Sequence, residues 1–250
     1  EIPALTEPYA PNLDAQLEAV WRHRPAALTF HFGLPPEHAV EQAHRQNIAV
    51  GVTATCLSEA KLIAAAGADF VVAQGWEAGG HRGTFTADAD DEALPLLALL
   101  RALSKDLSIP IVAAGGLMNG GGIAKVIAAG ATAAQLGTAF LCCDEAGTPA
   151  THREVLTDAA AETVFTRAFS GRPARGVRNT FIEAMAGKPV LPFPQQNTLT
   201  GSLRQWAASA EQPGFQSVWS GSGLGGIRPM SAAQLMATLK HELARAAIRS

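Results

Sequence analysis

The chain has 250 residues, of which 48% are hydrophobic, and carries a formal net charge of −3 at pH 7. This length suits one large domain with a well-buried core. The mildly negative charge argues against a nucleic-acid-binding protein, which would usually show a basic stripe. The longest apolar runs, such as LPLLALL before Arg101, are far too short to span a bilayer. Three cysteines without metal-ligand spacing are typical of a reducing compartment, so we predict a cytoplasmic protein.

Five short apolar runs, rich in β-branched residues, alternate with segments of helical character. The runs cover residues 26–33, 47–55, 69–75, 109–116 and 132–140. Strands that are apolar on nearly every residue are covered on both faces, as in a parallel sheet wrapped by helices. The alternation therefore predicts an α/β fold made of βα units. Because no G-x-G-x-x-G follows the first run, we favour a (β/α)8 TIM barrel over an open doubly wound sheet.

Five βα units are fewer than the eight of a complete barrel. The 25 residues before the first run contain one predicted helix and no convincing strand, and the chain begins at Glu1 rather than at a methionine. We therefore expect a barrel that is incomplete at its amino terminus and forms part of a longer protein. Residues 1–145 would form the C-terminal part of the barrel. Residues 146–250 would form a helical and loop extension that packs on the barrel and covers its site.

Two glycine-bearing segments at predicted strand ends indicate a phosphate site. The first is AAGG at residues 113–116, and the second is QLGTAF at residues 135–140, which offers the Gly137 amide and the Thr138 hydroxyl. Glycines between a strand and a helix let backbone N–H groups close on an anion. In (β/α)8 enzymes a phosphate commonly lies between the loops that follow the last two strands. The alternative is that these glycines only form tight turns.

A third segment, VVAQGWEAGGHRG at residues 71–83, places His81 after two glycines at the end of a predicted strand. Glycines let the backbone approach a ligand closely, and a histidine titrates near neutral pH. Gln74 ends the strand, where its amide either meets a ring system or closes the barrel mouth. We interpret Arg82 and Glu77 as a structural pair that shapes the loop.

His31 follows the first apolar run and is predicted to point into the barrel mouth or core, because Phe30 and Phe32 lie on the opposite face. Contact with a substrate or cofactor and a hydrogen-bonded core role both stay open. The remaining histidines fall on predicted helices and are expected at the surface: His23, His38, His44, His152 and His241. No H-E-x-x-H or paired-carboxylate arrangement is present, so no metal site is predicted.

Together these segments resemble the bacterial nitronate monooxygenases, formerly called 2-nitropropane dioxygenases. VVAQGWEAGGHRG closely resembles their histidine motif, and the resemblance continues in order through TFHFGLPP, PIVAAGGLMNGGGI, QLGTAF, SGRPARGVRN and VWSGSG. The resemblance implies an FMN-bearing barrel that oxidises alkyl nitronates, and neutral nitroalkanes as well, with O2 to a carbonyl compound and nitrite. The family's QAPM-like first strand and the glycine-rich segment after it are missing from these 250 residues.

The resemblance also implies roles for individual residues. His81 would be the catalytic residue, either orienting the nitronate or acting as a base on a neutral nitroalkane, and His31 would line the substrate pocket with it. The residues implied to hold FMN are Gln74, Gly80, Ala114, Gly115, Gly116, Gln135, Gly137, Thr138, Ser222 and Gly223. The expected partners are a small nitronate and O2, with neither nucleic acid nor membrane, and the expected state is a monomer or homodimer.

Three alternatives stay open. An FMN-dependent NAD(P)H reductase of the same fold, acting on enoyl-acyl-carrier proteins or quinones, carries variants of the histidine motif. A truncated, non-catalytic barrel would follow from the missing strands. A flavin-free isomerase for a phosphorylated sugar would need an acid–base pair, and Glu77 is the only obvious carboxylate beside His81 in the sequence.

Overall fold

The computed structural model describes residues 5, 7–88 and 90–248, and its centre is a five-stranded parallel sheet. The strands of the chain are β1 (Ala27–Phe30), β2 (Ala49–Ala54), β3 (Phe70–Gln74), β4 (Gly80–His81), β5 (Ile111–Ala114), β6 (Ala133–Gln135), β7 (Thr163–Thr166) and β8 (Ala174–Val177). The parallel sheet has the order β1-β2-β3-β5-β6. Each of the five apolar runs contains one of these strands, so the predicted parallel α/β fold is confirmed.

Helices connect the strands of the parallel sheet and continue beyond it. They are α1 (Leu13–His23), α2 (Glu37–Arg45), α3 (Leu57–Ala65), α4 (Leu96–Asp106), α5 (Gly120–Ala128), α6 (Ala150–Thr157), α7 (Thr180–Ala184), α8 (Gln195–Leu199), α9 (Gly201–Ser209) and α10 (Ala232–Ala247). Short 3-10 helices cover Thr138–Phe140, Pro213–Phe215 and Leu224–Gly226. Across the described residues, no helix combines the length and apolar character that a membrane crossing requires.

The main core lies between the parallel sheet and helices α3 and α4. Val52 and Val71 of the sheet are fully buried against Ile63, Leu99 and Leu103 of these helices. Each such side chain stabilises the fold by about 1.5–3 kcal/mol through removal of apolar surface from water. The core therefore holds the strands in fixed register and sets the positions of the loops at their carboxyl ends.

A second sheet, antiparallel and three-stranded, has the order β4-β8-β7. In it His81 lies opposite Ala174, and β7 and β8 form a hairpin in which Thr163 lies opposite Val177. Strands β7 and β8 lie within the segment 146–250, where only helices and loops were expected. The difference arises because β7 (TVFT) and β8 (ARGV) have only four residues each and lack the long apolar runs that revealed the parallel strands. Strand β4 has only two residues and pairs far along the chain, so no local pattern reveals it either.

Four of the five remaining histidines are exposed on helices, as predicted, and His152 differs. His152 lies on α6, but it is only partly exposed, and its Nε2 atom is buried without a hydrogen-bond partner within the described residues. Burial lowers the pKa of His152, and the Trp219 backbone beside the ring opposes this shift. His152 therefore belongs to the packing between α6 and the loop that contains Trp219.

Candidate functional site

A cavity of about 300 Å³ lies at the carboxyl ends of the parallel strands. The strand ends of β3, β5 and β6 contribute its floor, and the loops that follow them contribute its walls. The residues singled out from the sequence that line this cavity are His31, Gln74, Gly80, Ala114, Gly115, Gly116, Gln135, Gly137 and Thr138. The parallel topology brings them together, because the carboxyl ends of neighbouring strands meet at one edge of a sheet.

Glycine backbone forms much of the cavity wall. Gly115 and Gly116 have φ values of 132° and 64°, in the region that side chains rarely adopt. A Cβ atom placed on Gly137 would meet no protein atom within 4 Å, so the space in front of this residue is open. No acidic side chain lines the cavity in the part of the chain that the structure describes. An anion there would meet backbone amides rather than a repelling carboxylate.

The loop at residues 219–223 closes one side of the cavity. Trp219 and Ser220 line the cavity directly, whereas Ser222 and Gly223 line an adjacent cavity of about 500 Å³ that also touches Gly116. The Gly221 amide donates to Thr138 Oγ1 at 2.9 Å, which fastens the loop to the end of β6. Within the described residues the Thr138 hydroxyl donates to no acceptor, so its proton is available to a ligand.

Gln74 and His31 hold the histidine loop through its backbone. Gln74 Nε2 donates to the His81 carbonyl at 2.9 Å, and Gln74 Oε1 accepts from the Gly83 amide at 2.8 Å. His31 Nε2 lies 3.2 Å from the same carbonyl. Because a carbonyl only accepts, Nε2 of His31 carries a proton. The side-chain amide of Gln74 is thus hydrogen-bonded to the histidine loop, although Gln74 also lines the cavity.

Arg82 anchors the same loop from inside the protein. Its guanidinium is almost fully buried and donates to the Asp91 carboxylate at 2.6 and 3.0 Å and to the Gln74 carbonyl at 2.6 Å. The expected pairing of Arg82 with Glu77 is therefore wrong. The Glu77 carboxylate instead accepts from the Leu96 amide at 2.9 Å, where the first turn of α4 leaves N–H groups without helical partners.

The imidazole of His81 is half-buried and does not itself line the cavity, but it lies beside Trp219, which does. Its ring centroid lies 5.6–5.8 Å from the rings of Phe32, Phe193 and Trp219, the last of which lines the cavity. His81 Nε2 lies 2.8 Å from Ser170 Oγ. Three aromatic walls and one hydrogen bond therefore fix the orientation of the imidazole.

Burial and neighbouring positive charge keep His81 neutral. Desolvation is the largest cause, followed by the fields of His31, Arg172 and Arg204, and together they lower the pKa of His81 to about 4. The pKa of His31 is lowered as well, chiefly by desolvation, although His31 keeps an exposed edge. Both imidazoles are thus neutral at pH 7, and a neutral imidazole has one nitrogen that accepts a proton.

Sequence reasoning missed several residues around His81. Phe32 has a φ of 74°, which is uncommon for a bulky residue, and the buried Arg172 guanidinium lies 4.1 Å from its ring centroid. Phe193 lies in the proline-rich segment GKPVLPFPQQNT, and Ser170 and Trp219 lie in SGRPARGVRN and VWSGSG; none of the three was predicted to lie near the histidine. The SGRPARGVRN and VWSGSG segments were the available signal, but nothing in one sequence shows that they meet the histidine loop.

Comparison with known proteins identifies the family of this chain. A family model described as nitronate monooxygenase matches residues 4–242. The chain belongs to the nitronate monooxygenase family. A nitronate monooxygenase of Pseudomonas aeruginosa is 45% identical over 231 residues, which cover 91% of this chain and 66% of that protein. The nitronate monooxygenase of Paraburkholderia phytofirmans is 42% identical over 92% of this chain and 64% of its own length. The chain therefore spans about two thirds of these nitronate monooxygenases.

Solved structures of related proteins share the fold. A nitroalkane oxidase from Streptomyces ansochromogenes superposes with a TM-score of 0.91 at 42% identity, covering 94% of this chain and 69% of that one. FabK from Thermotoga maritima, as an M276A mutant, superposes with a TM-score of 0.79 at 26% identity, covering 96% of this chain and 74% of that one. This chain thus shares its fold with FabK as well as with a nitroalkane oxidase.

Proposed function

We propose that this chain provides the site for the FMN-dependent oxidation of alkyl nitronates, and of neutral nitroalkanes, by O2 to a carbonyl compound and nitrite. The observation that carries the proposal is a glycine-lined cavity at the strand ends, with His81 beside its Trp219 wall, in a chain of the nitronate monooxygenase family. The names of the relatives, nitronate monooxygenase and nitroalkane oxidase, support the same substrate class.

The cavity residues suit a flavin with a phosphate. The space in front of Gly137 is open, and a side chain at this position would occupy it. Gly115 and Gly116 have positive φ values, which let the backbone approach a ligand closely. The amide of Gly137 and the free hydroxyl proton of Thr138 would hold the phosphate, with the ring beside Gly80. When bound, FMN would supply the redox chemistry, taking electrons from the nitronate and delivering them to O2.

The proposed task of His81 is to move a proton and to orient the substrate. A neutral nitroalkane must lose a proton from the carbon that bears the nitro group, and the unprotonated nitrogen of His81 is the acceptor. A preformed nitronate has already lost this proton, so it needs only orientation. Phe32, Phe193 and Trp219 would exclude water from this proton transfer, because they surround the imidazole with apolar surface.

We also propose that residues 1–145 form the barrel part and that residues 146–250 cover the site. Two observations support this division. Trp219 and Ser220, from the later segment, line the cavity, and the Gly221 amide is bonded to Thr138 of the earlier segment. Removal of the later segment would therefore open the cavity to water.

The second candidate function is an FMN-dependent reductase that oxidises NAD(P)H, and the similarity to FabK favours it. The two candidates differ in their electron donor. The purified chain, loaded with FMN, is mixed without O2 either with a propane-derived nitronate or with NADH, and the flavin absorbance near 450 nm is followed. We expect rapid bleaching by the nitronate alone. Rapid bleaching by NADH alone would replace the proposal with the reductase, and a chain that takes up no FMN would refute both.

A further inference from the structure

Ser170 is the only hydrogen-bond partner of the His81 imidazole within the described residues. It lies in the turn before β8 and is 1% exposed, so no water competes for its hydroxyl. Its Oγ atom lies 2.8 Å from His81 Nε2. A buried hydroxyl at this distance determines which ring nitrogen carries the proton, provided that its own proton is directed elsewhere.

The proton of the Ser170 hydroxyl is directed to a backbone carbonyl. Ser170 Oγ lies 3.2 Å from the Arg172 carbonyl oxygen, which only accepts, and the Arg172 amide approaches the same Oγ at 3.4 Å. A hydroxyl has one proton to give, so toward His81 its oxygen acts as an acceptor. With the Ser170 proton on the Arg172 carbonyl, His81 Nε2 is the donor of the 2.8 Å bond and carries the ring proton.

Nδ1 of His81 is then the nitrogen with the free lone pair. It makes no hydrogen bond to residues 5, 7–88 or 90–248, and the ring centroids of Phe193 and Trp219 lie 5.8 and 5.6 Å from that of the imidazole. A flip of the ring about its Cβ–Cγ bond would place a carbon where Nε2 faces Ser170 and would lose this hydrogen bond. The geometry thus distinguishes the two nitrogens by role.

We propose that Ser170 is a positioning residue that fixes His81 as the Nε2–H tautomer and so makes Nδ1 the atom that accepts the proton of a neutral nitroalkane. This step rests on the proposed function. The proton passes from the substrate carbon to Nδ1, and the electron pair of the C–H bond forms the C=N bond of the nitronate. The negative charge moves to the nitro oxygens, and His81 becomes a cation that still donates from Nε2 to Ser170.

The charged and titratable groups that act on His81 all disfavour its cationic form. They are His31 after β1, Arg172 before β8, and Arg204 on α9. The imidazolium form of His81, which proton transfer creates, is therefore unfavourable unless the negative charge of the adjacent nitronate offsets its positive charge. The nitronate formed beside Nδ1 carries this negative charge. We therefore expect His81 to be positively charged only while the nitronate is bound.

The tautomer is measured directly by ¹⁵N NMR of the flavin-free chain labelled at histidine, at pH 7, with His81→Gln used to assign the signals. We expect Nε2 of His81 to show the shift of a protonated nitrogen and Nδ1 that of an unprotonated one. Ser170→Ala should mix the two forms, and Ser170→Thr, which keeps the hydroxyl, should restore the single form. A wild-type imidazole protonated at Nδ1 would overturn the proposal.

Kinetics test the consequence. Ser170→Ala should lower kcat/KM for a neutral nitroalkane about tenfold or more, within the range that a positioned base contributes, and change turnover of the preformed nitronate less than about twofold. Ser209→Ala, at an exposed serine, is the matched control. Equal losses on both substrates would overturn the positioning role. An Nε2–H tautomer in a chain that turns over neither substrate would instead uphold the tautomer and refute the proposed function.

Discussion

At the scale of single residues, the site depends on a histidine kept neutral by its surroundings. Desolvation and nearby positive charge lower the pKa of His81 to about 4. Because the pKa is lowered, the base form persists as the pH falls below 6.5 and is half lost only near pH 4. We expect kcat/KM for a neutral nitroalkane to stay level from pH 7 to pH 5 and to fall near pH 4. A pH profile with its inflection near 6.5 would contradict this environment for His81.

Removal of the imidazole separates proton transfer from orientation. His81→Ala should lower kcat/KM for neutral nitroalkanes by about 10²–10⁴-fold, the usual contribution of a general base, and should affect preformed nitronates much less. Steady-state assays of nitrite release on both substrates provide the measurement. His44→Ala is a suitable control, because His44 is an exposed histidine on α2 that pairs with Asp69. Similar losses on both substrates would assign His81 to positioning instead.

At the scale of elements, the strand-end loops hold the proposed flavin. Gly137→Ala should weaken FMN binding about tenfold or more, because the new methyl group occupies the open space in front of this residue and costs at least one charge-assisted hydrogen bond of about 1.5–3 kcal/mol. Fluorescence titration with FMN measures the loss. Gly147→Ala, at another glycine whose Cβ would meet nothing within 4 Å, should bind FMN normally. Gly116 is less suitable, because its Cβ would lie 2.8 Å from Glu77 Cβ.

The histidine loop depends on the buried Arg82–Asp91 pair. Asp91→Ala leaves the Arg82 guanidinium buried without its carboxylate, and we expect the free energy of unfolding to fall by about 3 kcal/mol. Asp88→Ala removes the partner of Arg167, but Asp88 is 90% exposed, so the expected loss is at most about 1 kcal/mol. Urea unfolding of both variants and of the unchanged chain measures these two losses in the free energy of unfolding. Equal losses would show that Arg82 does not hold the loop.

The parallel sheet could be predicted from the sequence, and the second sheet could not. Strands such as β2 and β3 are apolar on nearly every residue, so local pattern alone revealed them. The two residues of β4 pair with β8, where Gly80 lies opposite Arg175 and His81 opposite Ala174, so the contact joins positions that are far apart in the sequence. The same distance hid the bond between His81 and Ser170. Motifs predicted the cavity wall, whereas the aromatic surroundings of His81 required the structure.

At the scale of the whole molecule, the end of the chain is fastened to the glycine-bearing loop after β5. Glu242 on α10 accepts from the Gly120 amide at 2.8 Å and from Arg228 at 2.7 Å, and Arg228 donates to the Met118 carbonyl at 2.7 Å. The pKa of Glu242 is lowered, first by the Gly120 hydrogen bond. Helix α10 thus stabilises a wall of the proposed flavin cavity from the far end of the sequence.

The central claim is that this chain, with FMN bound, oxidises nitronates through the site at the strand ends. The most direct measurement is nitrite release from a preformed propane-derived nitronate in air, without nicotinamide, by the purified chain after loading with FMN. We expect nitrite to form in proportion to the FMN bound and a carbonyl compound to appear with it. A chain that retains FMN but releases no nitrite from the nitronate would contradict this claim.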